Sequence, residues 1–119
     1  MQEIIDGYIA AWNETDADKR RDLVGSLWAA DGSYTDPLAD VRGPDAIAGL
    51  IGAAQQQFPG LVFTLGGPVD ANHNQARFTW HLGPDGSEPV VIGFDVVVLD
   101  SAGQIASVHG FLDQVPAAA

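Results

Sequence analysis

Apolar residues in the first half of the chain recur every three or four positions, as Tyr8 and Trp12 do. This spacing places them on one face of a helix. The pattern predicts three helices, over residues 3–13, 15–28 and 44–58. Thr15 is expected to cap the second helix, and Pro44 to begin the third, where the N–H that proline lacks is not needed. Residues 33–36 predict a short strand between them.

From residue 61 onward, apolar residues alternate with polar ones, and this period of two is typical of strands. The alternation predicts four strands, over residues 61–69, 75–82, 89–99 and 104–112. Helices followed by consecutive strands indicate an α+β fold with a mostly antiparallel sheet. We therefore predict one domain over residues 1–119, a conical barrel in which a curved sheet wraps around three N-terminal helices. Small-molecule sites favour such concavities.

Two aspartates interrupt these patterns. Asp36 lies directly before Pro37, which favours an extended conformation at the end of the short strand. An Asp-Pro pair is also ordinary turn chemistry, so a functional and a structural interpretation both remain open. Asp95 lies in the most apolar predicted strand, on the same face as Val91 and Val97. Its side chain is therefore either on a solvated face or deliberately buried.

A buried and unpaired Asp95 is expected to have a raised pKa, because burial disfavours the charged carboxylate. The protonated acid can then donate a hydrogen bond, as can the phenol of Tyr8 in the first helix. Two donors directed at one carbonyl oxygen would form an oxyanion hole, and Asp36 across the cavity would move the proton. Tyr8, Asp36 and Asp95 are therefore the predicted catalytic residues.

The composition narrows the possible partners. The 119 residues carry a formal charge of −11, so neither nucleic acid nor an anionic membrane surface is expected as a partner. The sequence shows neither an apolar run of membrane-spanning length nor a leader, which predicts a cytoplasmic protein. Cysteine is absent, and His73, His81 and His109 are widely spaced, so no metal site and no cofactor are expected.

Several short motifs resemble the nuclear-transport-factor-2-like superfamily, over essentially the whole chain. They are GYIAAWN at 7–13, AADGSYTDP at 29–37, GPDAI at 43–47, FD at 94–95 and DSAGQI at 100–105. Within this superfamily the chain is similar to the SnoaL-like polyketide cyclases and the ketosteroid isomerases. The resemblance implies a conical α+β barrel with an internal pocket. It also implies that Tyr8 is an oxyanion-hole donor, Asp36 the general base and Asp95 a protonated donor.

Trp28, Ile51 and Val108 are predicted to line the substrate site. The isomerases can support their oxyanion-hole tyrosine with further tyrosines, where this chain has Trp28 and Ile51. The expected ligand is therefore a small hydrophobic molecule other than a steroid.

The last predicted hairpin leaves two placements for His109. A four-residue loop at 100–103 would pair Asp95 with Val108 and put His109 on the outer face of the sheet. A three-residue loop with Gly103 as a bulge would pair Asp95 with His109 instead. The resemblance favours the outer face.

A homodimer through the outer face of the sheet is expected. The predicted strands from Gln75 onward carry apolar residues on both faces, and the helices of one cone can cover only one of them. The resemblance implies the same mode of dimerisation.

The chain is thus predicted to be a cofactor-free isomerase or cyclase that moves a proton next to a carbonyl of a small apolar substrate. The alternatives are a non-catalytic binding protein for a small hydrophobic ligand, and a dimerising interaction module with a vestigial cavity. Convergence of Tyr8, Asp36 and Asp95 on one cavity would favour the first two hypotheses. An outward-facing Asp95 would favour the third.

Overall fold

Three helices precede most of the sheet in the computed structural model, which describes residues 1–116. They are α1 (Gln2–Asn13), α2 (Ala17–Leu27) and α3 (Pro44–Gln57), close to the predicted bounds. Pro44 begins α3, as predicted. The N-cap of α2 is Asp16 rather than Thr15, because the carboxylate of Asp16 accepts the N–H of Lys19 over 2.9 Å.

Seven strands form one open sheet within residues 1–116. They are β1 (Trp28–Asp36), β2 (Ala39–Arg42), β3 (Val62–Leu65), β4 (Asp70–Asn72), β5 (Gln75–Gly83), β6 (Val91–Leu99) and β7 (Ile105–Gln114). The order across the sheet is β2-β1-β7-β6-β5-β3, and β4 also pairs with β5. β1 and β7 run parallel, and the other neighbouring strands are antiparallel. The predicted α+β fold with a curved, mostly antiparallel sheet is confirmed.

β1 is longer than the predicted strand. Residues 29–32, between the predicted second helix and the predicted short strand, lie inside it. The pairing of β1 with β7 changes register between Trp28 and Ser33, so this segment contains a bulge within the strand. Trp28 consequently begins β1 instead of ending α2. The strands β2 and β4 were not predicted, because segments of 4 and 3 residues carry little periodicity.

The hairpin between β6 and β7 decides where His109 lies. Gly103 has a φ of 81° and closes the tighter of the two predicted loops. One extra residue in β7, Ala106, then shifts the register. Asp95 therefore pairs with Gly110, so both predicted pairings are wrong, because the sequence does not reveal the bulge. His109 is exposed on the outer face, as the resemblance implied.

The helices cover the inner face of the sheet and share one core with it. Tyr8, Trp28 and Phe78 are among its largest fully buried side chains. Asn13 joins α1 to β3, because its side-chain amide both donates to and accepts from the backbone of Phe63 over 2.8 Å. No helix within residues 1–116 is long and apolar enough to cross a membrane.

Candidate functional site

A cavity of about 410 Å³ lies between α1, α3 and the inner face of the sheet. Most of its wall is aliphatic or aromatic. The phenols of Tyr8 and Tyr34 and the carboxyls of Asp36 and Asp95 are also part of the wall. The three predicted catalytic residues thus line one cavity, although α1, β1 and β6 supply one each. This convergence is the condition that favours an enzyme or a binding protein over a module with a vestigial cavity.

Tyr8 and Asp95 form a buried hydrogen bond. The hydroxyl of Tyr8 donates to Oδ2 of Asp95 over 2.6 Å, and the two residues are 1% and 2% exposed. The sequence predicted two separate donors to one ligand oxygen, whereas the hydroxyl hydrogen of Tyr8 is directed at Asp95. Tyr8 therefore holds the carboxyl in place. A ligand oxygen would receive its hydrogen bond from Asp95 itself, once Asp95 is protonated.

The environment of Asp95 favours the protonated acid. Burial is the main reason that its pKa rises to about 6, and the nearby charge of Asp36 raises it further. The hydrogen bond from Tyr8 and the neighbouring Trp80 act in the opposite direction. Oδ1 of Asp95 is buried and has no hydrogen-bond partner within residues 1–116. The direction of the pKa shift agrees with the sequence prediction.

Gly110 leaves the space that the two carboxyls occupy. It pairs with Asp95 across the β6–β7 ladder. A Cβ atom at this position would lie 2.9 Å from Oδ1 of Asp95 and 3.2 Å from Cβ of Asp36. Residue 110 must therefore be a glycine for both side chains to keep their positions.

Asp36 combines a turn role with a place in the cavity. Its Oδ1 accepts the backbone N–H groups of Leu38 and Ala39, each over 2.8 Å, which closes the turn between β1 and β2. Its Oδ2 accepts the hydroxyl of Tyr34 over 2.7 Å. Because each carboxylate oxygen can accept about two hydrogen bonds, Oδ2 keeps one free acceptor position. The structural and the functional interpretation of Asp36 are thus compatible.

Tyr34 was not among the predicted site residues. It is 2% exposed, and its hydroxyl fixes the orientation of the Asp36 carboxylate. Burial and the charges of Asp95 and Asp36 raise its pKa far above the ordinary value, so the phenol remains a neutral hydrogen-bond donor. Its position two residues before Asp36 in a strand was the available signal, because side chains two apart lie on one face.

Aromatic rings form one continuous side of the cavity. The ring centroid of Trp12 lies 5.5 Å from that of Tyr34 and 5.3 Å from that of Phe63. The ring centroids of Phe63 and Trp80 are 5.5 Å apart. The ring of Trp80 packs against Gly93, which has no Cβ. A Cβ at this position would lie 2.0 Å from the Trp80 ring, so a larger residue would displace it. Nε1 of Trp12 is buried without a hydrogen-bond partner in the described part of the chain. Trp12 and Trp80 therefore belong to the wall of the cavity.

The predicted substrate-contacting residues lie elsewhere. Trp28, Ile51 and Val108 are fully buried in the core and are not among the residues that line the cavity. Trp28 packs behind Tyr8, with ring centroids 5.6 Å apart, and donates its indole N–H to the carbonyl of Ser33. The ring of Tyr8 thus faces the cavity in place of Trp28. Leu50 of α3 and Leu112 of β7 line the cavity instead.

The side chains of residues 1–116 include no group of three or more His, Asp or Glu that could hold a metal ion. The residues that line the cavity include two carboxyls and two phenols, which can accept, donate and hold protons.

Comparisons with known proteins agree with this architecture. The sequence profile of the SnoaL-like domain matches residues 5–108. A solved SnoaL-like family protein from Agrobacterium tumefaciens, provisionally called an isomerase, is 48% identical with a TM-score of 0.89, over 94% of this chain and 96% of that chain. No curated protein matches the chain significantly.

Two more distant structures share the fold. A provisionally named polyketide cyclase from Sinorhizobium meliloti is 19% identical with a TM-score of 0.70, over 91% of this chain and 93% of that chain. An LEH-like epoxide hydrolase from M. tuberculosis is 18% identical with a TM-score of 0.64, over 93% of this chain and 80% of that chain. At these identities the likeness concerns the fold alone.

Proposed function

We propose that this chain, which belongs to the SnoaL-like domain family, is a cofactor-free enzyme that moves a proton next to a carbonyl of a small apolar substrate. The observation that carries the proposal is the meeting of Asp36 and Asp95 in one largely apolar cavity. The provisional isomerase name of the relative at 48% identity supports the same reaction class.

The two carboxyls would have different roles. The free acceptor position on Oδ2 of Asp36 takes a proton from the carbon next to the carbonyl, so a C–H bond breaks and an O–H bond forms. The electron pair of the broken C–H bond moves toward the carbonyl oxygen, and an enolate forms. Protonated Asp95 donates a hydrogen bond to that oxygen and stabilises the developing charge. Asp36 then returns its proton to another carbon in an isomerase. In a cyclase the enolate carbon attacks a second carbonyl, and the alkoxide that forms takes the proton from Asp36.

The phenols would act as positioning residues in this scheme. Tyr34 orients Oδ2 of Asp36, and Tyr8 orients the carboxyl of Asp95. Both are buried, so the catalytic carboxyls have little freedom to turn away from the substrate. The apolar wall excludes water, which strengthens each hydrogen bond to the enolate oxygen.

Exchange of hydrogen for deuterium provides a test that does not require the natural substrate. 2-Tetralone, a small bicyclic ketone with acidic hydrogens next to its carbonyl, is incubated with the protein in D₂O and followed by proton NMR. We expect exchange well above the buffer rate, and a loss of about 100-fold or more in Asp36→Asn, which removes the base. Asp113→Asn, an exposed change on β7, is the matched control and should exchange at the wild-type rate. Exchange that is unaffected by Asp36→Asn would contradict the proposal.

A binding protein for a small hydrophobic ligand is the second candidate. The two hydrogen bonds by which Asp36 closes the turn between β1 and β2 favour it, because they give the carboxylate a structural role that requires no catalysis. Saturable binding of 2-tetralone without any acceleration of exchange would favour this candidate over the enzyme.

A further inference from the structure

The charges around the cavity are all of one sign. Asp36 and Asp95 line it, whereas none of its described lining residues is Lys, Arg or His. Arg42 of β2 donates to the carbonyl of Asp31 over 2.9 Å, and Arg77 of β5 pairs with Asp70 over 2.9 Å. No cationic side chain among the described lining residues therefore balances the charge of these carboxyls.

The carboxyls also have unused acceptor capacity. Oδ1 of Asp95 is buried with no partner within residues 1–116, although a carboxylate oxygen is a strong acceptor. Oδ2 of Asp36 accepts one hydrogen bond, from Tyr34. A buried carboxylate oxygen without a hydrogen bond is unfavourable, and a counter-charge stabilises a buried carboxylate, so a ligand that supplies both would be bound favourably.

The aromatic side of the cavity suits a positive charge as well. The rings of Tyr34, Trp12, Phe63 and Trp80 follow one another in this order at centroid distances of 5.3 to 5.5 Å. The faces of such rings carry partial negative charge and attract ammonium groups. Carboxylates and aromatic rings in one cavity are thus a chemical match for a hydrophobic amine.

We propose that the cavity also binds a small hydrophobic amine in its cationic form. The ammonium group donates hydrogen bonds to the carboxylates of Asp36 and Asp95, and the apolar body lies against the aromatic side. An anionic ligand would add a third negative charge and find no cation, so the same cavity excludes carboxylic acids. This inference goes beyond proton transfer and does not depend on it.

The pH dependence of binding follows from the groups that face Asp95. They are Tyr8 from α1, Tyr34 and Asp36 from β1, and the uncharged Trp80 from β5. With a pKa of about 6, the ionised fraction of Asp95 rises from about one tenth at pH 5 to about nine tenths at pH 7. The affinity for an amine should rise by up to about tenfold over this interval. A ketone that requires protonated Asp95 should show the opposite trend.

Three ligands with one bicyclic skeleton provide the test. They are 2-aminotetralin, a cation at both pH values, 2-tetralone, which is neutral, and tetralin-2-carboxylate, an anion. Their affinities are measured by isothermal titration calorimetry at pH 5 and pH 7. At pH 7 we expect the amine to bind about tenfold more tightly than the ketone, and the carboxylate to show no binding.

Variants locate the effect at the two carboxyls. Asp95→Asn should abolish the rise in amine affinity between pH 5 and pH 7, and Asp36→Asn should weaken amine binding by about tenfold at both. Asp113→Asn removes one exposed charge and should leave the affinity within about twofold. An amine that does not bind, that binds no better than the carboxylate, or whose affinity does not rise with pH would overturn the inference. Exchange of 2-tetralone in such a case would leave the proposed function in place.

Discussion

Replacement of Asp95 by asparagine should change the pH dependence of stability. The carboxyl has a pKa of about 6 in the folded protein against a reference value of 3.8. At 1.36 kcal/mol per pKa unit, this difference corresponds to ~3 kcal/mol. Because the folded state binds the proton more tightly, the raised pKa stabilises the folded state by this amount at pH values below the reference pKa of 3.8. This stabilisation is lost as the pH rises through the folded pKa of about 6.

Asparagine cannot titrate, so the variant lacks this loss. Its side-chain oxygen can still accept the hydrogen bond from Tyr8. Of the ~3 kcal/mol of stabilisation, wild type loses ~2 kcal/mol between pH 4 and pH 7. The free energy of unfolding of Asp95→Asn, relative to that of wild type, should therefore be larger by ~2 kcal/mol at pH 7 than at pH 4.

Urea denaturation of the variant and of wild type, at both pH values and one protein concentration, measures how their difference in unfolding free energy changes with pH. Asp85→Asn, in an exposed turn, controls for removing one negative charge from a chain with a net charge of −11. NMR titration of the Asp95 carboxyl provides an independent value for its pKa. A relative stability that stays constant between pH 4 and pH 7, or falls, would refute the assignment of Asp95 as a buried carboxyl with a raised pKa.

Other perturbations address the remaining features of the site and the sheet. Tyr8→Phe removes a hydrogen bond to ionised Asp95, so NMR titration should place the pKa of Asp95 above 6; an unchanged value would contradict the observed pairing. Gly110→Ala should cost about 1–3 kcal/mol by thermal melting, because its Cβ crowds both carboxyls. Gly49→Ala, with open space around it in α3, should instead stabilise the fold by about 0.5–1 kcal/mol, and equal effects of the two would refute the steric argument. Phe111 is 57% exposed, and we propose a homodimer through the outer face. Sedimentation should show a wild-type dimer and a Phe111→Asp monomer, and a wild-type monomer would exclude this interface.

Features that depend on neighbouring residues were predictable from the sequence. The helical spacing around Tyr8 located α1, and the missing N–H of Pro44 marked the start of α3, because both signals are local. The change of period at residue 61 indicated the α+β order of elements. The motifs around Asp36 and Asp95 resembled those of one superfamily closely enough to predict that both residues belong to one site.

The tertiary structure decided which atoms meet. Tyr8 and Asp95 are 87 residues apart in sequence, and no periodicity could show that one donates to the other. The extra residue at Ala106 set the register of β7, and with it the glycine that lies beside both carboxyls. Apolar spacing marks Trp28 as buried but does not say whether it lines the cavity or lies behind its wall. Register and packing depth arise from contacts between distant segments, and for that reason the sequence determined the fold and the candidate carboxyls while only the folded chain determined their partners.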